Sequence, residues 1–383
     1  MTSVWSAAHV AAIDTDNLPA APVIGADDVA RILPGFDIWD MWPIQRQSDG
    51  QPYRVDGGIV WMALYAPFMD DPGLRHFAAR IRLLHQKDGV WHDLGFAMPE
   101  GFAAGNREWS GSAIIDDARR VTLFYTAAGG SEPRGYQQRL FQAQANLVVI
   151  YGRPRLADWK DNRESVASDG DHYLIVDQQE GAAGTIKAFR DPAYFYDTEN
   201  NKHYLVFAAS LAASSHDFNG CVGIAVATDD SLTHWQILPP LVTADRLNNE
   251  LERPHIIMRG GRYYLFWSTQ SSVFAPDGPI GPTGLYGMVA PSMDGPWEPL
   301  NGTGLVIANP PEQPFQAYSW HVLGDMSVTS FIDQWGVGTT MPDTPEAQRA
   351  HFGGTAAPFL HLSLDGATTQ LTATPTDKRI LVQ

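Results

Sequence analysis

Apolar positions along this chain fall in short, nearly unbroken runs, not at the three-to-four spacing of a helix. GGIVWMALYA from Gly57, VTLFYTAA from Val121, HYLVFAAS from His203, YYLFWSTQ from Tyr263 and SVTSFIDQW from Ser327 are rich in β-branched and aromatic residues. Gly, Pro, Asp and Asn separate such runs, so each predicts a buried strand. Ahead of each lies a stretch that mixes polar and aromatic residues. In order these are DIWDMWPIQ (37–45), EWSGSA (108–113), FRDPAYFY (189–196), ELERPHII (250–257) and QAYSWHV (316–322). Helical patterning is confined to pieces such as DDVARILPG (27–35) and PGLRHFAARIRLLHQ (72–86), expected to decorate a rim.

Five such pairs, about 60 to 80 residues apart, form an internal repeat. That spacing suits one four-stranded sheet per unit. Five units closing a ring make an all-β, five-bladed β-propeller, and closure protects the sheet edges. The innermost strands would line a central funnel, where the five polar-aromatic stretches converge. A β-sandwich or a two-domain β protein is the competing architecture. No low-complexity linker interrupts the chain, so residues 1–383 are expected to form one domain, with residues 1–30 as an N-terminal extension packed on it.

Composition narrows the partners. The 383 residues include 26 Lys and Arg against 43 Asp and Glu, a net charge of −17. Phosphate binding needs clustered cations, so nucleic acid is not expected as a partner. Hydrophobic residues at 44% support a large core, and no apolar run reaches the length of a membrane-spanning helix. The single cysteine, Cys221, excludes an intramolecular disulfide and a cysteine-based zinc site; DFNGCVGIAVA places it in a core strand. MTSVWSAAHVAAIDTD lacks the basic and apolar regions of a signal peptide. No His/Asp/Glu set shows metal-ligand spacing, so no metal and no cofactor are expected.

If the five stretches converge, they pool Asp40, Asp191, Glu250 and Glu252 with Arg190, Arg253 and the aromatics Trp39, Trp42, Trp109, Tyr318 and Trp320. Carboxylates among arginines and aromatics suit a carbohydrate site. Rings stack on apolar sugar faces, and glycosidic cleavage needs one protonated and one ionised carboxyl group. Glu250 and Glu252, two apart, point to one side of an extended backbone, and each raises the other's proton affinity. Each residue also has a plainer reading. Asp40 caps a turn, RDP is a common turn tripeptide, Trp109 plugs a loop, Tyr318 and Trp320 are core, and His255 and His321 are structural.

The set IWDMWP, WSGSA, RDP, ELERP, YYLF and AYS, in that order between about residues 35 and 365, resembles the levansucrase and inulosucrase family, glycoside hydrolase family sixty-eight. The resemblance implies a five-bladed propeller with a deep central pocket and a retaining attack on sucrose. It makes Asp40 the nucleophile that forms a fructosyl-enzyme, Glu252 the general acid and then base, and Asp191 the transition-state stabiliser. Trp39, Trp109 and Arg190 would line the sugar pocket, and Ser110 would orient Asp40. Glu250 and Arg253 would hold the glucosyl unit, and Tyr318 would support the acid. Acceptors would be water or a growing fructan, for hydrolysis or for levan and fructo-oligosaccharides. Mainly hydrolytic β-fructofuranosidase and inulosucrase chemistry on the same site are the alternatives. A non-enzymatic sugar-binding propeller would be expected to lack Asp40, Asp191 or Glu252, and all three are present.

Two positions depart from the family. Gln270 stands on the acceptor side where many members carry Arg or His, which puts long-chain polymer formation in question. Asn249 replaces the Asp of calcium-binding members, so no structural calcium of that kind is expected. The overall pattern is closer to Gram-negative members, some of which leave the cell without a cleaved signal. An extracellular, membrane-free monomer is the expectation, with cytoplasmic placement and an oligomer left open.

Overall fold

A computed structural model describes residues 2–130, 135–176, 185–372 and 381–382. The strands form five blades of a β-propeller in chain order. Their innermost strands are Phe36–Arg46, Arg107–Ile115, Phe189–Asp197, Glu252–Arg259 and Ala317–Val322. Each begins at or beside one of the polar-aromatic stretches. The apolar runs are the second strands: Gly58–Pro67, Arg120–Ala128, Lys202–Ser210, Arg262–Thr269 and Ser327–Gln334. Each pairs antiparallel with the inner strand before it. The first two blades also share a continuous ladder, because Ile44–Arg46 pairs in parallel with Ala113–Ile115.

The second strands read as unbroken apolar runs because a blade is covered on both faces. Every seam of the ring has its own apolar cluster. Trp42, Met62 and Leu123 join the first blade to the second. Ile114, Phe124 and Tyr194 join the second to the third, with the Phe124 and Tyr194 rings stacked at 5.8 Å. Phe195, Val206 and Trp267 join the third to the fourth, and Phe266, Trp320 and Val328 the fourth to the fifth. Ile38, Trp61, Leu323 and Ala356 close the fifth against the first. Outer strands alternate instead, as Thr368–Thr372 does, because one face meets water.

The N-terminal segment adds Ser3–Val4 in parallel to the outer strand Trp235–Thr243 of the third blade. Trp5 is fully buried against Trp267 and Tyr286 of the fourth blade, and its Nε1 donates to the Thr303 carbonyl at 3.0 Å. Cys221 is buried in the strand Gly220–Ala227, where burial pushes its thiol well up. Among the described residues no helix is long and apolar enough to cross a membrane.

The two expected helices are corrected. At DDVARILPG only the 3-10 turn Ala26–Asp28 winds, overlapping its first two residues. PGLRHFAARIRLLHQ divides. Pro72–Phe77 is a 3-10 helix capped by the Asp71 carboxylate, which accepts from the Gly73 N–H at 2.7 Å. Arg80–Lys87 is the third strand of the first blade. Ile81 and Leu83 lie two apart and are buried, while Arg82 turns outward over Tyr65 and pairs with Asp93 at 2.6 Å. Burial between two strands decides the segment, overriding good helix formers.

Candidate active site

One irregularity recurs on all five inner strands. Register with the neighbouring strand breaks between Trp39 and Met41, Trp109 and Gly111, Arg190 and Ala193, Glu252 and His255, and Tyr318 and His321. A bulge adds a residue to one strand, bends it and re-aims its side chains. Four of the bulged residues lie in the left-handed region: Asp40 at φ 36°, Asp191 at 60°, Arg253 at 48° and Ser319 at 60°. Such backbone costs about 1–3 kcal/mol per residue and persists only where surroundings impose it. The local sequence fits. Pro192 and Pro254 have no N–H to lose from the ladder. At Gly111 a Cβ would stand 1.9 Å from the Phe124 carbonyl oxygen.

The bulges deliver the predicted side chains to one central cavity of about 390 Å³. Asp40, Asp191 and Glu252 line it, as do Trp39, Trp109, Ser110, Arg190, Glu250, Arg253, Gln270 and Tyr318. The Ser110 hydroxyl donates to Asp40 Oδ2. Arg190 Nη2 donates to Glu250 Oε1 at 2.6 Å and to Glu252 Oε1 at 2.8 Å, and its Nε stands 3.8 Å from Asp191 Oδ2. Tyr318 donates its phenolic hydrogen to Glu252 Oε2. The Asp191 backbone N–H donates to the Thr126 hydroxyl at 2.8 Å, and Asp191 Oδ2 accepts from the Arg253 backbone N–H at 3.2 Å.

Arg253 lines the cavity and also bonds the neighbouring blades. Its Nη1 donates to Ser319 Oγ at 2.8 Å, and its Nη2 to the Met41 carbonyl at 2.8 Å. The guanidinium therefore braces the first, fourth and fifth blades under the cavity. Gln270 follows the second strand of the fourth blade and reaches the cavity ahead of the short turn Ser271–Val273.

Three carboxylates surround one guanidinium at Arg190, so the cluster has more acid than base. Burial works against the Arg190 charge, but Glu250, Glu252 and Asp191 outweigh it and hold its proton firmly. Burial pushes Asp191 up to about 7; Arg190 opposes this, while Glu252 and Asp40 add to it. Burial and then Glu252 push Glu250 up to about 7 against the pull of Arg190. Burial and Glu252 keep the Tyr318 phenol far above its ordinary range, so it remains a donor. Asp191 and Glu250 are thus both pushed toward neutral pH by burial and by the other carboxylates around Arg190.

Other residues of the pooled set are core. Trp42 and Trp320 are 1% exposed and sit in blade seams. The buried rings of His255 and His321 lie tilted with centroids 4.1 Å apart, and burial pushes His255 down to about 3. Arg75, His76, Tyr136, Gln138 and Asp333 line the cavity although no sequence motif singled them out. The signal for Asp333 lay inside the apolar run SVTSFIDQW, as its one acidic residue. Among the described residues no group of three or more His, Cys, Asp or Glu is placed to hold a metal ion.

Comparison with known proteins agrees with this geometry. The levansucrase/invertase family model of glycoside hydrolases matches residues 1–219 and 214–377. Levansucrase LscC of Pseudomonas savastanoi pv. glycinea is 33% identical over 406 residues, covering 95% of this chain and 89% of that protein. Levansucrase of Erwinia amylovora is 33% identical over 370 residues, covering 86% and 84%. Among solved structures, an inulosucrase from Halalkalicoccus jeotgali bound to kestose superposes with a TM-score of 0.88 at 36% identity, covering 98% of this chain and 96% of that one. A levansucrase from Gluconacetobacter diazotrophicus shares the fold, with a TM-score of 0.82 at 23% identity and coverage of 97% and 90%. The chain belongs to the levansucrase/invertase family of glycoside hydrolases.

Proposed function

We propose that this protein cleaves sucrose and transfers its fructosyl unit by a retaining, two-step mechanism. One observation carries the reading: Asp40, hydrogen-bonded by Ser110, and Glu252, hydrogen-bonded by Tyr318 and Arg190, line the same cavity. In the first step an Asp40 oxygen attacks the anomeric carbon of the fructosyl unit. The bond from that carbon to the glycosidic oxygen breaks, and the Glu252 proton passes to this oxygen, so neutral glucose leaves. Asp40 then carries the fructosyl unit as an ester. In the second step the Glu252 carboxylate takes a proton from water or a sugar hydroxyl, whose oxygen attacks the same carbon and frees Asp40. Two inversions leave the configuration unchanged.

Asp191 grips fructosyl hydroxyls in this reading, supported by its place on the cavity wall beside Arg190. Trp39 and Trp109 supply apolar faces. Arg190 holds Glu250 and Glu252 in place and faces the leaving unit. Arg253 acts as a brace that fixes the start of the strand bearing Glu252. The whole of 1–383 works as one catalytic unit in this reading, with residues 1–30 wrapped against the third and fourth blades. It acts outside the cell on sucrose, with water and fructans as acceptors.

Levan-type transfer is the product reading favoured by similarity to the levansucrases of Pseudomonas savastanoi and Erwinia amylovora. The similarity to a kestose-bound inulosucrase supports a second reading, in which the linkage formed is of the inulin type. Incubation with sucrose tests both. Free glucose in excess of free fructose, with fructan or oligosaccharide as the balance, is expected. Equal glucose and fructose throughout would overturn transfer in favour of hydrolysis, and linkage analysis of the products separates the two transfer readings.

A further inference from the structure

Bonding around the cavity is uneven. On the third to fifth blades Arg190, Glu250, Glu252 and Tyr318 spend their polar atoms on one another. Elsewhere on the cavity wall, the turn Pro72–Phe77 and the end of the strand Ser327–Gln334 present His76 and Asp333. The His76 ring stands edge-on to Trp39 at 5.9 Å and to Trp109 at 6.4 Å. Its backbone carbonyl accepts from Trp109 Nε1 at 3.0 Å, so the turn clamps both tryptophans. Neither His76 ring nitrogen has a hydrogen-bond partner among the described residues, and neither is sealed from the cavity. The Asp333 carboxylate likewise has no hydrogen bond or ion pair there; only its backbone N–H is spent, on the Gln316 carbonyl at 2.9 Å.

Polar groups that are half-buried and unspent cost free energy until water or a ligand pairs them. Burial, with Arg75, Arg190 and Arg107, keeps His76 neutral, so it offers one donor and one acceptor. Asp333 lies within the electrostatic reach of Asp40 and Arg75. A sugar unit bonded to Asp40 would therefore meet a neutral imidazole and a carboxyl group on this wall. Its hydroxyls both donate and accept, which matches the pair.

We propose that His76 and Asp333 contact the hydroxyls of the fructosyl unit at Asp40. This rests on the fructosyl-transfer reading above. It adds, beside Asp191, a wall of unspent polar groups for the transferred sugar to the preorganised groups that face the leaving glucose. His76 also positions Trp39 and Trp109 through its ring and carbonyl.

The test compares inhibition of sucrose cleavage by added fructose and by added glucose, in the unmodified protein, His76→Leu and Asp333→Leu. The inhibition constant for fructose is expected to rise about tenfold in each variant, as for one lost hydrogen bond, with that for glucose within about twofold. His76→Gln and Asp333→Asn, which keep polar atoms, are expected to recover part of the loss. Unchanged fructose inhibition in cooperatively melting Leu variants overturns the inference, as does equal weakening of glucose inhibition. Where a Leu variant does not fold, crystals of the unmodified protein with fructose decide. A fructose hydroxyl in hydrogen-bond contact with His76 and Asp333 supports the inference, and its absence overturns it. Unmodified protein that releases no glucose from sucrose would instead remove the fructosyl-transfer reading itself.

Discussion

Ser110 on the second blade donates its hydroxyl hydrogen to Oδ2 of Asp40 on the first, across the seam where their inner strands pair in parallel. The two residues are 70 apart in sequence and both sit at bulges, so two register breaks must coincide for the bond to form. In the proposed mechanism the bond leaves Oδ1 as the oxygen that attacks. Ser110→Ala is expected to lower kcat on sucrose by about 10- to 100-fold, the scale of a misplaced reacting group, with KM changed little. Steady-state kinetics with a melting curve check this. Unchanged kcat would remove Ser110 from the orientation of Asp40.

Arg253 predicts a loss of stability. Its side chain is buried and bonds the Met41 carbonyl, Ser319 Oγ and the Ser319 carbonyl. Arg253→Met keeps the packed stem but leaves those acceptors unpaired, at a cost of about 2–4 kcal/mol. Denaturant unfolding should show the loss. A variant as stable as the parent but selectively weakened in glucose inhibition would return Arg253 to the glucosyl contact that the family resemblance implies.

The architecture was legible in the sequence because each blade repeats one polar-aromatic stretch and one apolar run. ELERP shows both halves of that logic. The two glutamates are visible as a pair, and Pro254 marks where the ladder can break. Hidden from the sequence is the left-handed turn at Arg253, whose guanidinium also bonds the Met41 carbonyl of the first blade. His76 was equally hidden, since it lies in a segment with helical spacing whose role depends on contacts with Trp39 and Trp109 from two strands. RIRLLHQ, helical by its spacing, forms a strand because local helix preference gives way to pairing on both edges.

The pH dependence of stability has a defined sign at Asp333. Burial raises its carboxyl from 3.8 to about 6, with Arg75 pulling down and Asp40 pushing up. The folded state thus binds this proton more tightly than the unfolded chain. Its stabilising effect is complete below about pH 4 and is lost as pH rises through about 6. Asp333→Asn stays neutral throughout. The Tm of the variant minus that of the parent is expected to become more positive between pH 4 and pH 7.5. A flat or opposite trend would show that Asp333 ionises freely.

Gln270 sits on the cavity but bonds only loosely, accepting from the Ser272 hydroxyl at 3.4 Å. It stands apart from the contacts of Asp40 and Glu252. Gln270→Arg is expected to leave initial glucose release within about threefold while shifting product length and the share of hydrolysis. Chromatographic sizing of products checks this. An unchanged product profile would remove Gln270 from acceptor binding.

The central claim is that Asp40 carries the fructosyl unit. Glu252→Gln supplies no acid for the first step and no base for the second. A fructosyl donor with fluoride as leaving group needs no proton to depart, so the ester should accumulate on this variant. Acid quenching, digestion and mass spectrometry should find the fructosyl mass on the peptide containing Asp40. Label on a peptide containing Asp191, Glu250 or Asp333, with none on Asp40, would contradict the account.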